Sequence, residues 1–115
     1  MSKLPGHTEP IIPEDKLRYC LDPLHEKGRD KARVFRSALG IGLEEMAQLE
    51  RMLREGVSEH AALRRGTFRD GTERWMVEWV VTGRLGPLRF ISAWSVDGSS
   101  GRPRLVSCYL KKVRA

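Results

Sequence analysis

Long apolar runs are missing from this 115-residue chain. No stretch approaches the roughly 18 consecutive apolar residues that a membrane-spanning helix needs, so no membrane partner is expected. Met1 to Glu9 hold no apolar centre of a secretion signal, which points to the cytoplasm. Cysteine is scarce: Cys20 and Cys108 are the two present, far apart and each in an apolar segment. A disulfide framework or a zinc centre needs more cysteines or tighter spacing, so both are expected as buried free thiols. Also absent are a phosphate-cradling glycine loop, a nucleophile elbow, a dinucleotide fingerprint and any metal-ligand spacing. No cofactor and no metal are expected on these grounds.

What the chain does have is positive charge. Twenty-one Lys and Arg stand against fifteen Asp and Glu, a formal net charge of +6, and fifteen of the cations are arginine. The arginine fork matches phosphate geometry, which is compatible with RNA as a partner. The same charge attracts an acidic protein.

The length suits one compact domain with one core. Residues 1–11 carry Pro5, Gly6 and Pro10 without periodicity and are expected to be a flexible N-terminal tail, leaving residues 12–115 as a single α+β domain. Ile12-Pro13-Glu14-Asp15 resembles a helix start, with acids in the first turn. Leu17, Cys20, Leu21 and Leu24 give that helix its apolar stripe, and Pro23 stops it. Residues 22–29 form a polar loop, Asp30 is a plausible N-cap, and Ala32, Phe35, Ala38 and Leu39 recur at helical spacing. Arg29, Arg33 and Arg36 fall on the other side, and Gly40 fits a helix stop. A third helix follows, with Leu43, Met46, Ala47, Leu49 and Leu53 on one stripe, closed by Gly56.

Beyond Gly56 the period changes to two. Residues 60–68 read equally as helix or strand. Asp70-Gly71 marks a hairpin turn. Trp75, Val77, Trp79 and Val81 alternate with Arg74, Met76, Glu78, Val80 and Thr82, as a strand with one buried face does. Leu88, Phe90, Trp94 and Val96 alternate with Arg89, Ile91, Ala93 and Ser95. Residues 97–101 form a flexible connection, and a last strand covers about 104–111. Helices first and strands later predict an α+β fold: N-terminal helices packed on one face of a three- to four-stranded antiparallel meander.

Chemistry is concentrated in His25-Glu26-Lys27-Gly28-Arg29-Asp30-Lys31-Ala32-Arg33-Val34-Phe35-Arg36. Cleaving RNA without a metal needs a base for the 2′-hydroxyl, an acid for the leaving oxygen and cations for the phosphorane. Histidine titrates near neutrality and suits proton transfer, so His25 is a candidate acid or base. Lys31 and Arg33 are candidates to hold the phosphate, aided by a helix N-terminus. On the last strand Arg104, Ser107 and Tyr109 could bind a phosphate, with Ser107 and Tyr109 sharing a face with Leu105 because i and i+2 align. Trp94 is a candidate for stacking a base, as are Trp75 and Trp79, although all three suit a core. Glu78 is a further candidate base. The bland alternatives are a solvated basic helix, a loop histidine and a mixed strand. His7 and His60 have no local partners.

The run Ile12-Pro13…Lys16-Leu17…Tyr19…Leu21-Asp22-Pro23-Leu24-His25, then Lys31-Ala32-Arg33-Val34-Phe35 and Leu39-Gly40, resembles an uncharacterised bacterial domain family. Trp94 and Pro103-Arg104-Leu105-Val106-Ser107 resemble its W…P-R-L-V-T ending, with serine where threonine is usual; Cys20 interrupts the first leucine pair. The resemblance spans roughly residues 12–110. Such domains end bacterial polymorphic toxins and also stand alone, and their order of elements is similar to the barnase, EndoU, colicin and RelE nuclease fold. The resemblance implies a metal-independent ribonuclease toxin, with tRNA as one candidate target. His25, Lys31 and Ser107 would be catalytic; Arg33, Arg104, Trp94 and Tyr109 would bind substrate. An acidic immunity or antitoxin protein would be the partner, and delivery into a target cell's cytoplasm the route if the module sits in a secreted toxin. The alternative is a non-catalytic basic module that binds nucleic acid or an acidic protein.

Overall fold

The computed structural model describes residues 2–26, 29–98 and 101–113. Three α-helices, α1 (Glu14–Leu21), α2 (Arg29–Leu39) and α3 (Met46–Glu59), precede four strands, β1 (Ala62–Thr67), β2 (Glu73–Gly83), β3 (Gly86–Val96) and β4 (Pro103–Lys112). The strands pair antiparallel in the order β1-β2-β3-β4, a meander with β1 and β4 as its edges. The fold is α+β, as the change of period predicts.

The helices cover one face of the sheet because both sides bring apolar stripes that water would otherwise wet. Leu17, Cys20 and Leu21 of α1, Phe35 of α2, and Leu49, Leu53 and Val57 of α3 meet Val77, Trp79, Phe90, Trp94, Leu105, Cys108 and Leu110. Phe35 packs edge-on to Phe90, which stacks on Trp79, which in turn stacks on His60. His60, without local partners in the sequence, thus caps an aromatic column. Leu24, placed on the α1 stripe by its spacing, lies beyond the end of the helix and is exposed.

Helix boundaries differ from the sequence expectation in informative ways. Pro13 sits at the N-cap of α1 with extended backbone rather than inside the first turn. Asp30 lies within the first turn of α2, not before it. Gly40, with φ +70, ends α2, and the Ile41 N–H turns back to the Phe35 carbonyl. Gly56, by contrast, does not close α3: the helix runs on to Glu59. A Cβ at Gly56 would stand 2.3 Å from the Trp79 ring, so glycine there serves close packing rather than termination.

Residues 2–11 are not a loose tail. Leu4 is fully buried, the Ser2 carbonyl accepts the Ala62 N–H, and Ile11 pairs in parallel with the outer edge of β4 at Arg104. Isolated apolar side chains and backbone pairing anchor this segment, and neither leaves a periodic trace in the sequence. The ambiguous stretch 60–68 supplies β1. The expected loop 22–29 and connection 97–101 lie partly outside the described residues.

Candidate functional site

β4 carries one irregularity that shapes the site. Ala93 pairs with Ser107 and Trp94 with Leu105, so Val106 is an extra residue without a partner on β3. This bulge resets the alternation of the strand. Pro103 and Leu105 point to the core before it, Cys108 and Leu110 after it. Ser107 therefore does not share a face with Leu105. It is half-buried beside Val106 at the outer edge of the sheet, where α1 and the start of α2 pass.

A cleft of about 570 Å³ opens there, lined by Asp15, Lys16, Arg18, Tyr19, Asp22, His25, Lys31, Val106 and Ser107. Lys31, in the first turn of α2, donates from Nζ to Ser107 Oγ at 3.3 Å. The same ammonium lies 5.0 Å from the centre of the Tyr109 ring and 5.9 Å from that of Tyr19. Tyr19 in turn meets the His25 ring edge-on, with centroids 4.6 Å apart. His25 is placed by a short turn at the end of α1. The Asp22 carboxylate accepts the Leu24 N–H, the Asp22 carbonyl accepts the His25 N–H, and the His25 carbonyl accepts the Arg29 N–H.

The three side chains proposed from sequence as catalytic, His25, Lys31 and Ser107, thus line one cleft, and Tyr109 joins them through Lys31. The other three do not. Arg33 is exposed two residues beyond Lys31, and i, i+2 positions face different sides of a helix. Arg104 is exposed on β4 before the bulge, opposite Ser95. Trp94 is fully buried: its Nε1 donates to Ser92 Oγ at 2.9 Å, and that hydroxyl donates to the Val77 carbonyl. Its ring is core and has no face to offer a base. Trp75 is half-buried with its Nε1 on the Glu73 carboxylate, and Trp79 is buried in the aromatic column.

Glu78 is also a poor base. It lies on the uncovered face, where Arg89 grips both carboxylate oxygens at 2.8 and 2.9 Å. These bonds hold its carboxyl below the usual range.

Lys16, Arg18, Tyr19, Asp15 and Asp22 also line the cleft, and neither spacing nor motif in the sequence marks them as site residues. Their indirect signal is the Leu17–Cys20–Leu21 stripe, since a helix that buries this stripe against a sheet edge must present its flanks along that edge. Charge in the cleft is mixed, three fixed cations against two carboxylates. Among the described residues no group of three or more His, Cys, Asp or Glu is arranged to hold a metal ion, and no helix is long and apolar enough to cross a membrane.

Between α1 and β4 the two thiols touch. Cys108 Sγ donates to Cys20 Sγ at 3.5 Å, and both are buried and free. The donated bond, helped by Lys31 and Lys16, outweighs desolvation and lowers the Cys20 pKa to about 7, while Cys108 is pushed up.

No curated protein and no solved structure matches the chain. The family model described as domain of unknown function (DUF6883) matches residues 3–112, and the chain therefore belongs to the DUF6883 family.

Proposed function

We propose that this chain is a metal-independent endoribonuclease module and that the cleft between α1 and β4 is its active site. The observation that carries the reading is the convergence of His25, Lys31 and Ser107 on one cleft from three separate segments, with Tyr19 and Tyr109 beside them. His25 moves a proton to or from the RNA oxygens. Lys31, aimed by Ser107 and flanked by two aromatic faces, neutralises the charge that develops on the phosphorane. Ser107, which accepts from Lys31, keeps its own hydroxyl proton for a phosphate oxygen. Lys16 and Arg18 guide the backbone of the substrate at the rim. In this reading the module acts as a toxin, and an acidic immunity protein neutralises it by covering the cleft. The order of helices before an antiparallel sheet is compatible with the nuclease fold named above.

A second reading, a non-catalytic binding module, draws on the exposed Arg29, Arg33 and Arg36 of α2 and on Arg104, which lie outside the cleft. Both readings expect steep salt dependence of RNA binding. Turnover separates them. Purified protein is incubated with total RNA in EDTA, alongside the His25→Ala variant. Cleavage that the variant loses while it retains RNA affinity supports the enzyme. Intact RNA at high protein concentration, with harmless expression in cells, sinks it.

A further inference from the structure

We propose that Cys20 and Cys108 are an oxidisable pair whose disulfide locks helix α1 onto edge strand β4 and fixes the two walls of the cleft. The residues are 88 positions apart in sequence, yet their sulfurs stand 3.5 Å apart and each is fully buried. A disulfide bond is about 2.05 Å long, so the sulfurs must close by roughly 1.5 Å. The geometry already presents one thiol to the other. Cys108 adjoins Ser107 and Tyr109 on β4, and Cys20 adjoins Tyr19 on α1, so a bond between them ties together the elements that carry the cleft residues.

The chemistry uses hydrogen peroxide as oxidant. The Cys20 thiolate, favoured by the hydrogen bond from Cys108 and by the nearby charges of Lys31 and Lys16, attacks one peroxide oxygen. The O–O bond breaks, the displaced hydroxide takes the proton that Cys20 gave up, and a water leaves, with Cys20 now a sulfenic acid. Cys108 sulfur then attacks Cys20 sulfur. The S–O bond breaks, the Cys108 proton goes to the departing hydroxide, and a second water leaves. With hydrogen peroxide, two thiols and one peroxide become one disulfide and two waters, with two electrons passing from sulfur to oxygen. The burial of both sulfurs makes the reaction slow and the product hard for a reductant to reach. It also directs Cys20 to Cys108 rather than to another molecule.

The test does not depend on the ribonuclease reading. Reduced full-length protein is held with hydrogen peroxide, denatured with an alkylating agent, and weighed without reductant. The expected product is a monomer two hydrogens lighter, without alkylatable thiols, yielding a Cys20–Cys108 linked peptide and reverting under dithiothreitol after unfolding. Its Tm should rise on the order of 10 °C, as closing a long loop does. In Cys108→Ser, a sulfenic acid should persist on Cys20 and be trapped by dimedone. Protein that retains two alkylatable thiols after prolonged exposure overturns the proposal, as does oxidation confined to sulfinic acid or to intermolecular dimers. A disulfide that forms without raising Tm overturns the locking of α1 to β4. Should the serine variant not fold, the mass, peptide map and Tm of the unaltered protein decide.

Discussion

The Lys31 ammonium donates to the Ser107 hydroxyl at 3.3 Å, joining the first turn of α2 to the bulge of the edge strand. Lysine carries three donors and no acceptor. With one donor on Ser107 and the Tyr19 and Tyr109 rings at its flanks, Lys31 has donors left for a ligand in the cleft. The serine therefore aims the lysine.

Under the proposed activity, Lys31→Ala should lower RNA turnover by about 100- to 1,000-fold, the scale of losing one preorganised stabiliser of developing charge. Ser107→Ala should cost less, because the ammonium remains but is less well aimed. Single-turnover cleavage of a defined RNA measures both. Equal rates for the two variants and the parent would remove Lys31 from the mechanism.

His25→Ala and Arg33→Ala should separate chemistry from attraction. The first should reduce turnover by roughly 100- to 10,000-fold with RNA affinity preserved. The second lies outside the cleft and should leave turnover intact. If Arg33 contacts phosphate, its loss lowers the slope of log K against log salt by about one. Titrations at several salt concentrations, paired with cleavage assays, read the difference.

Ser92 and Trp94 should behave as one buried unit. Ser92→Ala leaves the Trp94 indole N–H and the Val77 carbonyl short of a partner, at a cost of about 1–3 kcal/mol. Trp94→Phe removes that donor and adds a cavity. In the double variant Ser92→Ala/Trp94→Phe the orphaned indole is gone, so the combined loss should be smaller than the sum. Urea unfolding of the four proteins gives the coupling, and strict additivity would contradict it.

Gly56→Ala should destabilise, although alanine is the better helix former by about 1 kcal/mol. The new methyl would meet the Trp79 ring at 2.3 Å within a stacked column that also holds His60 and Phe90. Overpacking of this kind costs about 1–3 kcal/mol. Thermal melts should show a lower Tm for Gly56→Ala and a partial recovery when Trp79→Leu is added.

The Glu78–Arg89 pair should contribute to stability in one pH window only. Arg89 holds the Glu78 carboxyl below its ordinary 4.5, so the folded state favours the charged form. That contribution is present above 4.5 and fades as pH falls through the lower, folded value. Glu78→Gln should therefore lower the urea midpoint slightly at neutral pH and leave it unchanged in acid beyond that range. The pair is solvent-accessible, so the effect should be small and weaken further with added salt.

Period and composition carried the architecture. Apolar spacing of three and four before Gly56 and of two after Asp70 predicts helices followed by an antiparallel sheet, and the alternation in β2 and β3 puts Val77, Trp79, Phe90, Trp94 and Val96 on the buried face, while it misses Ser92 and the burial of Ile91 on the other side. Binary pattern reports which surface leaves water, and that is a local property. The same pattern misread Gly56 and residues 2–11, because close approach to Trp79 and backbone pairing with β4 are contacts between distant parts of the chain.

The candidate site was half legible. His25 and Lys31 stand out as a short segment rich in proton-transfer and cationic groups, and Ser107 as a hydroxyl on the last strand. That the three line one cleft depends on the extra residue Val106, which turns Ser107 away from Leu105's side. It depends equally on α1 lying along the β4 edge with Lys16, Arg18 and Tyr19 on its flank. The sequence by itself determined the classes of element, their order and the apolar set that drives them together, since these follow from local periodicity and burial. Only the tertiary structure decided that Trp94 is core, that Cys20 meets Cys108, and that Lys31 reaches Ser107. Each of those facts is a meeting of side chains 76 or more positions apart, or a burial imposed by the whole packed sheet, and no local spacing encodes it.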